Sequence, residues 1–223
     1  MINYVIAAVV GYLLGSVPFG LIITRAAGVG DVRKIGSGSI GATNVLRTGR
    51  RELAAMTLLL DAAKGFVAVV LATTVLQQLF PSTDSLDNLI STTFSAYIAA
   101  IAVFIGHCFP VWLGFKGGKG VATMIGVLFA LVWQVGLIFC VVWLIIAFTQ
   151  RISSVSAITA AVTAPIFTYV AYLMGWASTD GLGLTTVVAL LSLLLIVRHS
   201  SNIARLMAGT EPKIGQSKSA EPS

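Results

Sequence analysis

The sequence predicts an all-α integral membrane protein of seven transmembrane helices, with the amino terminus outside and the carboxyl terminus in the cytoplasm. Three observations predict it. Of 223 residues 57% are hydrophobic and only 10% charged, with a mean hydropathy of +0.96, too little polar surface for a water-soluble domain of this length. The apolar residues gather in segments of membrane-spanning length. The charges lie between these segments and differ in sign from one loop to the next.

The first segment, residues 2–24, carries no charge. It is longer than the apolar core of ~7 to 15 residues expected of a cleaved signal, and no cation precedes it, so a retained first helix is expected. Gly11 and Gly15 give it the small-xxx-small spacing that lets a second helix approach, and Pro18 predicts a kink. Further apolar segments cover residues 53–79, 94–115, 121–149, 154–175 and 182–197. Arg25, Arg33, Lys34, Arg47, Arg50 and Arg51 put the first loop in the cytoplasm, and Asp84 and Asp87 put the next one outside. A single crossing by residues 121–149 then leaves Arg151 outside and Asp180 inside. Two short helices broken near Gln134-Val135-Gly136 return every loop to its preferred side, although 29 residues are few for two spans of ~20 each. Cys108 and Cys140 read as small core residues. The expected organisation is one transmembrane catalytic domain over residues 1–206 and a cytoplasmic tail over 207–223.

Nearly all polar chemistry falls on the cytoplasmic side. The stretch KIGSGSIGATNVLRTGR, residues 34–50, holds Gly36, Gly38 and Gly41 in G-x-G-x-x-G spacing. That pattern signals a dinucleotide site only inside a strand–helix–strand unit, and what precedes it here is a membrane span. Glycines that admit close backbone approach, with Ser37, Ser39, Thr43, Asn44 and Arg47, read instead as an anion cradle. The competing reading is a basic loop resting on acidic headgroups. Residues 114–123, GFKGGKGVAT, supply Lys116, Gly117, Gly118, Lys119 and Gly120 at a helix start, where free N–H groups favour an anion. The stretch departs from the nucleotide P-loop: the leading glycine is one residue too close, and Gly120 stands where Ser or Thr belongs. Ser153 and Ser154 open a later helix, as ligand contacts or as an N-cap. His199, Asn202 and Arg205, three residues apart, share one side of a helical continuation. Asp61 and Lys64, at i and i+3 inside a span, read as an ion pair or as part of the site, and His107 is similarly open. Two histidines and two separated cysteines, with no carboxylate cluster beside them, give no metal site.

The stretches GSGSIGATNVLR, DAAKG, GHCFPVWLGFKGGKGVAT, RISSVSA and RHSSNIARLMAGTE, in this order at helix ends, resemble the bacterial membrane glycerol-3-phosphate acyltransferases that use acyl phosphate as donor. The resemblance spans about residues 11–211; Ser39 departs from it, because the family usually has Asn there. It implies transfer of a fatty acyl group to the 1-hydroxyl of glycerol 3-phosphate, giving lysophosphatidic acid and phosphate, the first step of phospholipid synthesis, without a cofactor. It implies catalytic roles for Ser37, Arg47, Lys119, Ser154, His199 and Asn202. Substrate contacts are implied for Gly36, Gly38, Gly41, Asn44, Lys116, Gly117, Gly118, Gly120, Ser153 and Arg205. Glycerol 3-phosphate is implied at the glycine and lysine motif, and the proton acceptor is His199 or the donor's own phosphate. The implied setting is the bacterial cytoplasmic (inner) membrane with its lipid, a site facing the cytoplasm, and a soluble enzyme supplying acyl phosphate; no nucleic acid is expected. The H-x-x-x-x-D pair of the other large acyltransferase group is missing, since Trp112 and Ala204 stand five residues after His107 and His199. The rival readings are a transporter or channel for a phosphate-bearing anion, and a lipid-binding scaffold.

This topology makes a direct prediction. A cysteine placed at residue 223 is expected to react with an impermeant thiol reagent only after the cell membrane is opened, and labelling of intact cells reverses the assignment.

Overall fold

The computed structural model describes residues 1–80, 85–177 and 180–214, and all regular secondary structure among them is helical. The helices are α1 (Ile2–Ser16), α2 (Phe19–Ala26), α3 (Ala42–Leu46), α4 (Arg51–Leu79), α5 (Ser85–Cys108), α6 (Val121–Leu131), α7 (Trp133–Gln150), α8 (Ser153–Leu173), α9 (Gly181–Arg198) and α10 (Ser200–Met207). Six stretches are long and apolar enough to cross a membrane: Ile2–Ala26, Arg51–Leu79, Ser85–Leu113, Trp133–Gln150, Ser153–Leu173 and Gly181–Arg198. The 11-residue α6 is apolar but shorter, about 16 Å at 1.5 Å per residue.

Pro18 interrupts the first span as its missing N–H and ring dictate, and the helix resumes at Phe19. The interruption exposes the Val17 carbonyl, which accepts from Phe19 N (3.1 Å) and from Lys64 Nζ (2.9 Å). Lys64 in turn pairs with Asp61 Oδ1 at 2.8 Å, both side chains almost fully enclosed. Asp61 and Lys64 therefore form the ion pair that their spacing predicts, and the lysine also mends the broken backbone.

Helix contacts follow the rule for lipid, where neighbours gain nothing from hiding apolar surface and close packing decides. Gly15 lies so near α5 that a Cβ there would sit 2.1 Å from Val103 O, and at Gly106 one would sit 2.3 Å from Tyr12 O. The α4–α6 crossing is equally tight: a Cβ at Gly126 would meet Ala62 O at 1.8 Å, and one at Gly65 would meet Thr123 O at 2.5 Å. Alanines 157, 160, 161, 164 and 171 give α8 its buried face. Large side chains such as Leu13, Leu59, Ile145, Phe148 and Leu193 point outward, as a lipid-facing surface requires.

The chain turns between α6 and α7 at Val132 (φ −158°, ψ 87°), two residues before the expected break at Gln134-Val135-Gly136. Gly136 is instead where the arms of the hairpin touch, because a Cβ there would press on Phe129 N at 3.0 Å. The hairpin returns the chain to the end it left. At that end Thr43 Oγ1 meets Ser153 Oγ at 3.2 Å and Ile214 N donates to Arg151 O at 2.6 Å. The tail accordingly folds back through residue 214, beyond the boundary expected at 206; its remainder lies outside the described residues.

These contacts rank substitutions. Gly126→Ala must push α6 off α4 and is expected to cost about 1–3 kcal/mol of stability. Gly11→Ala, whose Cβ would sit 3.0 Å from Ala99 O, is expected to cost less. The midpoints of thermal unfolding in detergent check that order.

Candidate active site

The loop between α2 and α4 is organised by one side chain. Asn44 Nδ2 donates to Val32 O, Ile35 O and Ser39 O at 2.7–3.0 Å, while its Oδ1 accepts from Ser37 N and Ser37 Oγ. The amide is spent on the loop, so Asn44, expected to touch ligand, reaches the cavity with its hydrogen bonds already committed to shaping the backbone. Gly36 and Gly38 take positive φ (55° and 71°), and a Cβ on Gly36 would strike Asn44 Oδ1 at 2.6 Å and the Arg47 side chain at 2.7 Å. They allow the fold of the loop without themselves lining the cavity described below. Asp31 anchors the loop's start through Arg33 (2.6 Å) and Arg25 (3.0 Å); the Arg33 hydrogen bonds hold its carboxyl well below the usual carboxylate range, against the opposing effect of burial.

The second glycine stretch departs from expectation. The Gly117 and Gly118 N–H groups, expected to face an anion, donate to Cys108 O (3.1 Å) and His107 O (3.0 Å) at the end of α5. Their carbonyls accept from Arg198. The glycines are required by packing: a Cβ on Gly118 would lie 2.1 Å from His107 Nε2, and one on Gly120 would lie 2.3 Å from the Phe104 ring. Lys116 is exposed and, with Gly117 and Gly118, stands off the cavity. What the loop presents is Lys119, followed by Gly120 at φ 90° as α6 begins.

The third and fourth clusters converge on a residue that sequence reasoning missed. Ser153 and Ser154 are the first residues of α8 and cap nothing: α8 has no side-chain cap at its N-terminus. Ser154 Oγ instead donates to Glu211 Oε1 (2.7 Å), as does Asn202 Nδ2 (2.6 Å), and Arg205 Nε pairs with Oε2 (2.7 Å). Glu211 is 5% exposed at its side chain and lies beyond a left-handed Gly209 (φ 68°). The available signal was an acid set between Arg205 and Lys213, just past the helical continuation.

A cavity of about 670 Å³ joins these elements. Its polar part is lined by Ser37, Gly41, Asn44, Arg47, Lys119, Gly120, Ser153, Ser154, His199, Asn202 and Glu211, with Asp61 and His107 also reaching it. Leu58 of α4, Ile125 of α6 and Cys140, Trp143 and Leu144 of α7 form an apolar part. Arg205 stands off the lining and is bonded to Glu211, which belongs to it. Burial pushes the Lys119 ammonium down to about 8; Glu211 opposes the fall, and Arg205, Arg47 and Arg198 add to it. Burial also takes His199 down to about 4, against the favourable bond to Leu195 O and with Lys119 and Arg198 nearby. That carbonyl can only accept, so at 2.8 Å it assigns the proton to Nδ1 and leaves Nε2 as an acceptor near neutral pH. Burial disfavours ionised Glu211, but bonds from Asn202, Ser154 and Arg205 outweigh it and hold its carboxyl below the usual value. The arrangement combines cations, a neutral imidazole and hydroxyls beside an apolar slot, and so suits a ligand with a phosphate head and a hydrocarbon tail. Among the described residues no group of His, Cys, Asp and Glu is placed to hold a metal ion.

Comparison with known proteins places the chain as a whole. The family model described as glycerol-3-phosphate acyltransferase matches residues 5–209. A glycerol-3-phosphate acyltransferase of Mesorhizobium japonicum is 54% identical over 211 residues, covering 95% of this chain and 96% of the relative. Among solved structures, PlsY (YgiH), an integral membrane glycerol 3-phosphate acyltransferase, is similar in two forms. Its glycerol 3-phosphate form has a TM-score of 0.78 and 34% identity over 95% of this chain and 96% of that one. Its lysophosphatidic acid form has a TM-score of 0.77 and 32% identity over 95% of each.

The electrostatics predict how pH governs anion binding. Affinity for inorganic phosphate, measured by calorimetry on the detergent-solubilised protein, is expected to fall as pH rises through about 8, where Lys119 loses its charge. Lys119→Arg should abolish that fall, and Glu211→Gln, which removes a charge favouring the ammonium, should move it to lower pH.

Proposed function

Because this chain belongs to the glycerol-3-phosphate acyltransferase family, we propose that it moves a fatty acyl group from acyl phosphate to the 1-hydroxyl of glycerol 3-phosphate in the bacterial cytoplasmic membrane. The observation that carries the reading is the two-part cavity, in which Arg47, Lys119 and His199 share one space with the apolar slot of Leu58, Ile125 and Trp143. Two phosphate-bearing substrates account for the cations, and the acyl chain accounts for the slot. An anion carrier needs a polar lining that continues through the membrane, whereas apolar side chains of α4, α6 and α7 take over here.

In this reading Lys119 holds the phosphate of glycerol 3-phosphate, and Ser37 and Arg47 hold that of the donor. The 1-hydroxyl donates a hydrogen bond to His199 Nε2 and directs its oxygen at the acyl carbonyl carbon. A C–O bond forms there, the carbonyl carbon's bond to the phosphate oxygen breaks, and phosphate departs with the electron pair. With His199 near 4, the phosphate that leaves with the electron pair of the broken C–O bond is the stronger base and the final proton acceptor. The donor is already activated, so orientation and charge stabilisation by Arg47 and Lys119 supply the catalysis without a covalent intermediate. Ser154, Asn202 and Arg205 act together through Glu211, which ties the carboxyl-terminal stretch to the site.

Seven crossings, counting α6 and α7 separately, put the site and residues 207–214 on the cytoplasmic side. There a soluble enzyme can deliver acyl phosphate, and the product leaves into lipid.

Purified protein given acyl phosphate and glycerol 3-phosphate is expected to form lysophosphatidic acid and phosphate in equal amounts. Arg47→Ala and Lys119→Ala should each lower turnover by about 10²-fold or more. Product from an acyl thioester alone overturns the donor assignment, and absence of product from every donor overturns the reaction.

A further inference from the structure

Arg198 ends α9, takes no part in the steps above, and yet contacts the loop that presents Lys119. Its Nε donates to Gly118 O and its Nη2 to Gly117 O and Gly118 O, each at 3.2 Å, while the guanidinium lies 4.9 Å from the centre of the Phe109 ring. The same two residues give their N–H groups to the last carbonyls of α5, Cys108 O and His107 O. The peptide groups before Lys119 are thus held by α5 on their N–H side and by α9 on their carbonyl side. Arg198 is also the residue before His199.

We propose that Arg198 is a positioning residue that fixes Lys119 relative to His199, so that the ammonium and the imidazole face one substrate. The two groups come from segments 80 residues apart, and this guanidinium is the direct link between the backbones that carry them. The chemistry favours arginine: a planar fork reaches two successive carbonyls at once, whereas an ammonium has no such fixed geometry. The Phe109 ring beneath the guanidinium adds a cation–π contact at 4.9 Å. The proposal rests on the acyl-transfer reading for its catalytic consequence alone; the backbone clamp stands apart from it.

The test pairs a double-mutant cycle with amide hydrogen exchange on purified full-length protein. Arg198→Ala is expected to lower kcat for lysophosphatidic acid formation by about 10²-fold, the scale of an ångström-sized misplacement. In a Lys119→Ala background it should cost less than about 3-fold, because the group it positions is gone. Arg198→Lys should fall between wild type and Arg198→Ala, and it carries the same comparison if the alanine variant fails to fold. Exchange should accelerate at Gly117, Gly118 and Lys119 while the α1–α5 contact keeps its protection. Losses that multiply in the double variant, or unchanged exchange at those three amides, overturn the proposal. A wild-type protein that makes no lysophosphatidic acid overturns the acyl-transfer reading instead, and the exchange result alone then decides for or against Arg198.

Discussion

Hydrocarbon offers no water to a broken helix, so non-helical backbone at or near membrane depth must find its hydrogen bonds inside the protein. This constraint organises the molecule. The kink at Pro18 is satisfied by Lys64, the loop after α2 by Asn44, and the turn before α6 by the α5 carbonyls and Arg198. Each of these breaks is met by a polar side chain, and the charged ones have partners of their own. Asp61 neutralises Lys64, with His107 3.6 Å away, and Phe109 stacks under Arg198. The buried ion pair is less a source of net stability than the condition under which the kink can exist.

The same devices make the site. A loop whose carbonyls are consumed by Asn44 is rigid where Ser37 and Arg47 leave it, and a loop clamped on both sides holds Lys119 without help from a ligand. Preorganisation of this kind suits the proposed reaction, in which an activated donor would ask little of the protein beyond placement and charge. Glu211 completes the balance. Its carboxylate gathers Ser154, Asn202 and Arg205 and moderates the mutual repulsion of the cations, helping Lys119 to keep its proton.

Much of the fold was legible in composition and in where the charges stop. The apolar segments located the six long spans to within a few residues, except that α5 begins and ends earlier than its apolar run. The turn between α6 and α7 was displaced because a glycine marks contact as readily as it marks a bend. The glycines before Lys119 were misread for the same reason: chain order cannot tell a glycine whose N–H is free from one pressed against a neighbouring helix. His107 Nε2 and the Phe104 ring, which make Gly118 and Gly120 obligatory, arrive from another helix.

The sequence by itself determined the membrane setting, the helical class, the gathering of cations and hydroxyls at one end, and the chemical kinds of group suited to an anion. These follow from local composition and helical spacing, which need no tertiary contact. Tertiary structure alone decided which of those groups face the cavity and which hold the backbone. Arg198 serves the backbone, Asn44 serves it while also lining the cavity, Lys119 and His199 face the cavity, and Glu211 is drawn in from the tail. That division depends on which donors find acceptors across 5 to 80 residues of chain, and it is set by packing distances that a linear pattern does not contain.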